Sequence, residues 1–258
     1  MPCTRKNPFA ALRLPIFFSK LLRSNDRDLL AAASLKPLVS LPHLLHPWAL
    51  RKSRSLAVIV VRPTKQTNIK MKKVIAAFNM TLDGVCDHTA GIADEGLHQH
   101  YTELLDNAGV VLYGRTTYQL MLFWQTLLQN PSGEKSMDNF AISIDKVQKL
   151  VFSTTLKDTG WDSAKLARKP LDEEILDLKQ QSGKDILVGS RSLIIQLLNS
   201  NLIDEFQICI HPVIEGKGLL LFDQIKDRIL LKLIKTKSLN SGAIVFYYEP
   251  TSKKTTNR

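Results

Sequence analysis

At 258 residues, 44% hydrophobic and 23% charged, the chain is long enough for one full α/β domain with sequence to spare. Its formal net charge of +11 belongs to one end, since residues 1–70 hold 13 Lys+Arg and 2 Asp+Glu while residues 71–258 hold 22 of each. The larger part has no positive excess to draw a polyanion, which argues against a nucleic-acid partner for it and leaves such binding only to the basic residues 1–70, and three scattered cysteines (Cys3, Cys86, Cys209) form no disulfide framework or metal spacing.

Residues 1–70 do not read as part of a fold. Seven of the eleven prolines fall there, and Leu-rich pieces alternate with basic residues. Three readings stay open: an amphipathic targeting segment, a disordered appendage, and an upstream extension. The last is preferred, because Met71-Lys72-Lys73 running straight into a strand resembles an ordinary protein start. The apolar run Leu56 to Val61 is far short of the ~20 residues a bilayer requires, so no membrane partner is expected. His43 and His46 lack a third ligand nearby.

From Lys72 the texture changes. Val74 to Phe78 is a buried-strand pattern, and Met80-Thr81-Leu82-Asp83-Gly84 turns out of it. Asp94 to Asn107 reads as a helix with Leu97, Tyr101, Leu104 and Leu105 on one face, its acidic start suited to the helix dipole. Val110 to Tyr113 is the next strand, broken at Gly114, and a helix continues through Tyr118, Met121, Leu122 and Trp124. Gln129 to Lys135 is an exposed loop, Lys149 to Ser153 a third strand, and Leu171 to Gln181 a further helix.

Asp185 to Asp223 then reads as strand, glycine turn, helix, strand and a second glycine turn. Ile186 to Val188 is apolar, Gly189-Ser190 breaks it, and Leu193, Ile194, Leu197 and Leu198 share a helix face. Phe206, Ile208 and Ile210 alternate with Gln207, Cys209 and His211 at strand period. A glycine turn opening a helix after a parallel strand presents backbone N–H groups where a phosphate is cheaply held, although such turns join many strands and helices. Ile229 to Ser238 and Ala243 to Tyr248 close the chain as a hairpin around Asn240-Ser241-Gly242.

The order implies an α/β fold with a mostly parallel sheet, helices on both faces and an antiparallel edge. One domain fills 71–250, and 251–258 is a polar tail.

Three ordered pieces go beyond general α/β texture. Val111-Leu-Tyr-Gly-Arg-Thr-Thr-Tyr resembles the strand-then-Gly-Arg-x-Thr turn of the dihydrofolate reductase superfamily. Met80-Thr-Leu-Asp-Gly resembles the Ser-Leu-Asp-Gly segment of its riboflavin-biosynthesis reductase branch. Leu202-Ile-Asp-Glu-Phe, with His211-Pro-Val-Ile-Glu-Gly-Lys-Gly and Leu221-Phe222, is similar to that branch's signature.

The resemblance covers residues 72–249. It implies a stand-alone reductase like the C-terminal domain of the deaminase–reductase, a three-layer α/β/α sandwich of dihydrofolate reductase-like topology, NADPH (or NADH) as cofactor, a cytoplasmic setting and a homodimer. Carried over by residue, Gly114, Arg115, Thr116 and Thr117 meet the cofactor phosphates. Ser153 and Thr154 stand at the adenosine 2′-phosphate, and Gly189, Ser190, Arg191 and Ser192 form the second phosphate turn. The family often has a basic residue where Thr154 stands, and Gly-Gly where this chain has Gly189-Ser190.

Asp83 matches the substrate-side acid, able to supply a proton or to stabilise positive charge. Read as a bare turn, Asp83-Gly84 has the aspartate capping backbone donors.

The remaining candidates read as structural. Asp204-Glu205 caps a loop or a helix end; Trp124 and Trp161 line the substrate pocket or fill core, and Tyr118 stacks near the nicotinamide or fills core, with core preferred for all three; His211 packs at a strand end, and His98 and His100 at i and i+2 do not share a helix face. No zinc deaminase signature is present. The expected activity is hydride transfer to a small heterocycle, pterin-like or 5-amino-6-ribosylaminouracil-like. The competing reading is an idle nucleotide-binding scaffold. Both rest on the turns after Tyr113 and after Val188 meeting at one rim.

Overall fold

The apolar stretch beginning at Val74 forms the centre of the molecule in the computed structural model, which describes residues 71–251. The readings made for residues 1–70, and for the tail after Thr251, lie outside the described residues. β1 (Val74–Thr81) pairs in parallel with β5 (Asp185–Val188) on one side and β6 (Glu205–His211) on the other. β2 (Ala108–Gly114) lies beside β5, followed outward by β3 (Gln148–Phe152) and the three-residue β4 (Ala164–Leu166), all parallel. On the far side β6 pairs antiparallel with β8 (Ile244–Thr251), and β8 with β7 (Leu230–Ser238). The resulting eight-stranded order is β4-β3-β2-β5-β1-β6-β8-β7.

Strand alternation sorts side chains between two cores. Val74, Ala76, Leu112, Ile186, Val188 and Phe206 face α5 (Leu171–Gln180) and α6 (Arg191–Asn199). Ala77, Val111, Tyr113, Val151 and Leu187 face the opposite way, against α1 (Glu95–Asn107), α2 (Arg115–Met121) and α4 (Lys135–Lys146). This is the expected α/β/α sandwich, a mostly parallel sheet closed by an antiparallel hairpin. α1 begins where Asp94 accepts a hydrogen bond from the Leu97 N–H at 2.7 Å, an N-cap that satisfies one of the orphan donors.

Three details differ from the sequence reading. α4 and β4 were not anticipated, and the helix after Gly114 divides at Leu122 into α2 and α3 (Phe123–Gln129). β4 extends the parallel sheet one strand beyond β3.

Three histidines are kept neutral by the packing. His100 lies edge-on to Tyr101 and Tyr247, and burial pushes its pKa down to about 4. Burial also lowers His98, packed against Trp124 and Phe140, and His211, which is fully enclosed. The unfolded chain binds protons below its ordinary histidine pKa of 6.5 that the fold excludes, so stability is intact above that pH and falls as pH drops. His100 alone should cost about 2 kcal/mol by pH 5. The urea midpoint is expected to be clearly lower at pH 5 than at pH 7.5, and His100→Phe should flatten that dependence.

Candidate functional site

The parallel register brings two strand ends together. Leu112 of β2 stands opposite Val188 of β5, so Gly114-Arg115 and Gly189-Ser190 emerge side by side. From there the chain diverges: α2 packs on one face of the sheet and α6 on the other. Adjacent parallel strands whose helices leave to opposite faces open a crevice at their carboxyl ends, the usual ligand position in open α/β sheets. The expectation that the turns after Tyr113 and Val188 share one rim is met.

Two hydrogen bonds fasten the turns. The Gly114 N–H donates to Ser190 Oγ at 2.8 Å, and the Gly189 N–H donates to the Leu112 carbonyl at 3.2 Å. Ser190, one residue before α6, thus spends its hydroxyl on the neighbouring turn rather than on its own helix. Neither α2 nor α6 has a side chain capping its first turn. First-turn N–H groups of both helices remain directed at the rim, with the positive end of each helix dipole. Gly189 is required by space, because a Cβ there would stand 2.9 Å from Tyr113 Cε1 of the buried core.

The other proposed cofactor residues fall into three groups. Arg115 and Thr116 are exposed at the start of α2 and Thr117 is half-buried. The Arg115 guanidinium donates to Thr155 Oγ1 at 2.9 Å, linking this turn to the loop after β3. In that loop Ser153 Oγ accepts from the Thr155 and Leu156 N–H groups, and Thr154 is exposed. At the second turn Ser192 is exposed, whereas Arg191 is engaged elsewhere. Its Nε donates to the Leu220 carbonyl at 2.7 Å, and its Nη2 is paired with Asp223. The Arg191 charge is therefore balanced within the protein, and the α6 turn offers a ligand its backbone more than its guanidinium.

Asp83 sits on the turn after β1, beyond β5 from the two fastened turns. Its carboxylate accepts from Thr81 Oγ1 at 2.5 Å, from the Gly216 N–H at 2.7 Å and from the Glu215 N–H at 3.1 Å. The Thr81 hydroxyl and the Gly216 N–H hold its pKa down at about 2. At neutral pH it is an anion and no proton donor, which leaves it charge stabilisation and the capping role.

The second glycine turn serves the protein itself. Residues 213–221 strap the β1 turn through Leu82 N–H to Val213 O (2.8 Å), Cys86 N–H to Leu219 O (2.8 Å) and Leu221 N–H to Gly84 O (3.0 Å). Gly218, at φ +145°, lies where a Cβ would collide with Val85 at 2.5 Å.

Asp204 accepts from the Val74 N–H at 2.8 Å and from Lys179, as a capping residue should. Tyr118 and Trp161 are core, and Trp124 is half-buried against Phe140. One polar pair escaped the sequence reading: Tyr101 OH donates to Asn79 Oδ1 at 2.8 Å on the α1 side of β1. An asparagine inside the apolar run of β1 was its only local signal.

The sequence profile described as RibD C-terminal domain matches residues 72–245. The uncharacterized protein YyaP of Bacillus subtilis is 32% identical over 185 residues, which is 70% of this chain and 96% of that protein. A putative riboflavin biosynthesis protein from Shewanella sp. PV-4 superposes with a TM-score of 0.53 at 19% identity, over 69% of this chain and 99% of its own. A pyrimidine reductase-like protein from Corynebacterium diphtheriae superposes with a TM-score of 0.50 at 16% identity, over 75% and 97%. These two structures share the fold.

Replacing Gly189 by Ala is expected to cost about 1–3 kcal/mol through the clash with Tyr113. Ser190→Ala should cost a similar ~1–3 kcal/mol by stranding the buried Gly114 N–H. Gly114→Ala should be milder, since the nearest atom to its Cβ is the exposed Ser192 hydroxyl at 3.2 Å. Thermal melts of the three variants check this order.

Proposed function

The chain belongs to the RibD C-terminal domain family, and from that premise we propose that it is an NADPH-dependent reductase delivering hydride to a small heterocycle. The acceptor is pterin-like, as in dihydrofolate, or of the 5-amino-6-ribosylaminouracil type. The observation that carries this reading is the pair of fastened turns: two helix starts without side-chain caps, one rim, and a glycine whose Cβ would have no room.

The residues present fit a dinucleotide diphosphate. Backbone N–H groups of Arg115, Thr116 and Thr117 and of Arg191 and Ser192 supply donors, with Gly114, Gly189 and Ser190 setting how closely the two turns approach. Ser153, Thr154 and the Arg115 guanidinium extend the surface toward the adenosine side. When bound, the nicotinamide supplies the hydride, and the protein's part is to hold the ring against the acceptor and keep water out. Asp83, fixed as an anion, favours positive charge near the end of β1.

A second reading, an idle dinucleotide-binding scaffold, draws on the duties already carried by Asp83 and Arg191 within the strap. A homodimer in the cytoplasm is part of the proposal. Leu230, Leu231, Leu233 and Ile234 are exposed on the edge strand β7, and a second copy would cover them. Among the described residues no helix is long and apolar enough to cross a membrane.

NADPH is expected to raise the melting temperature and to be oxidised in the presence of dihydropterin or aminopyrimidine acceptors. Asp83→Asn should abolish turnover while retaining NADPH binding. Absence of any thermal shift with millimolar NADPH or NADH would sink the reading, whereas binding without turnover on either acceptor class supports the scaffold. Sedimentation should give a dimer that Leu233→Glu dissociates.

A further inference from the structure

We propose that residues 88–93 form a lid over the carboxyl ends of β1 and β6, latched by neutral His211 and released when that ring takes up a proton. The inference is independent of the reductase reading above.

The lid leaves the turn after β1 and ends at Asp94, the N-cap of α1. Both of its ends are fastened. Asp87 accepts from the Leu219 N–H at 3.1 Å, and Asp94 accepts from the Leu97 and Ser241 N–H groups at 2.7 and 2.8 Å. Between these anchors, one hydrogen bond among the described residues ties the lid to the rest of the fold. The Ile92 N–H donates to His211 Nδ1 at 3.1 Å. The Ala90 N–H only returns to the Asp87 carbonyl, and Ala90 is the one buried residue of the lid.

His211 stands opposite Thr81 in the β1–β6 register and is fully enclosed. Because its Nδ1 accepts, the proton of the neutral ring belongs on Nε2. That N–H is buried without an acceptor and lies against Gly91, where a Cβ would stand 2.9 Å from Nε2. A buried donor left unpaired works against the closed lid, so the latch is poised to open. A second proton turns Nδ1 from acceptor into donor. It then confronts the Ile92 N–H donor to donor, and a cation is held out of water.

The charged group that reaches the ring is Asp94, which favours the cation. Thr81 of β1, Gly91 and Ile92 of the lid and Ser241 of the β7–β8 turn carry no charge. Asp87 is engaged with Leu219, and His88 is exposed. Burial outweighs Asp94 and keeps the His211 pKa below the ordinary 6.5. The closed lid is therefore favoured above pH 6.5 and progressively lost below it. Release uncovers the ring beside Thr81, whose hydroxyl donates to Asp83, and access to this end of the rim follows pH.

Amide hydrogen exchange of residues 88–93, corrected for intrinsic pH dependence and referred to β1, tests the latch in the wild-type chain, His211→Asn and His211→Phe. Asn offers an oxygen near the Nδ1 position and does not titrate. In the wild type, lid exchange is expected to rise about tenfold from pH 7.5 to pH 5.5 while β1 stays protected. His211→Asn should hold the lid at both pH values, and His211→Phe should leave it open at both. Gly91→Ala leaves the core residues in place and should open the lid at pH 7.5, which decides the matter if the His211 variants do not fold. A wild-type lid indifferent to pH, a pH-dependent loss undiminished in His211→Asn, or a Gly91→Ala lid as protected as the wild type overturns the assignment.

Discussion

One hydrogen bond, from the Gly114 N–H to Ser190 Oγ, expresses the constraint on which the site depends. It forms because β2 and β5 are parallel neighbours in a register that brings Gly114 beside the turn after Val188, and because their helices depart to opposite faces. Neither condition is local. β5 reaches its place only after the chain has built β3, β4 and α5, so the two halves of the crevice come from segments 76 residues apart. The bond also decides which donors stay free. Ser190 is withdrawn from capping α6, and the helix starts keep their positive character.

Around that fixed pair the charged residues divide their work. Arg191 and Asp83, both expected at the ligand, are held by the segment 213–223, which binds the β1 turn on one side and α6 on the other. Arg115, by contrast, is exposed and donates to the neutral hydroxyl of Thr155. Which of these side chains share the rim is a property of sheet order rather than of any single motif.

Much of this was legible in the sequence, and the reasons for the rest are physical. Strands with strict alternation or continuous apolar runs, and helices with clear apolar faces, appeared within a few residues of their places. So did the capping role of Asp204 and the core placement of Tyr118. α4 escaped although Met137, Phe140, Ala141 and Ile144 have helical spacing, because Ser136, Asn139 and Ser143 dilute the run. β4 has three residues, too few to display a period. The engagement of Asp83 with Glu215 and Gly216 spans more than 130 residues, and that of Arg191 with Asp223 spans 32. Partners so distant leave no trace in local pattern, so matching a motif located these side chains without disclosing what they touch.

The far end of the sheet has its own chemistry. Lys149, buried near the start of β3, donates to the carbonyls of Asp145 and Val147 and to Ser163 Oγ, with its ammonium 4.0 Å from the Trp161 ring centroid. Burial pushes its pKa down to about 8. The indole N–H of Trp161 is bonded to Asp145 at 2.7 Å. Trp161 thus lies under an amine whose proton burial has loosened, on the side of the sheet away from the crevice. Trp124, against His98 and Phe140, belongs to the α1–α4 wall. The two indoles of the described residues therefore differ in surroundings: Trp161 meets an ammonium and a carboxylate, Trp124 an imidazole and a phenyl ring.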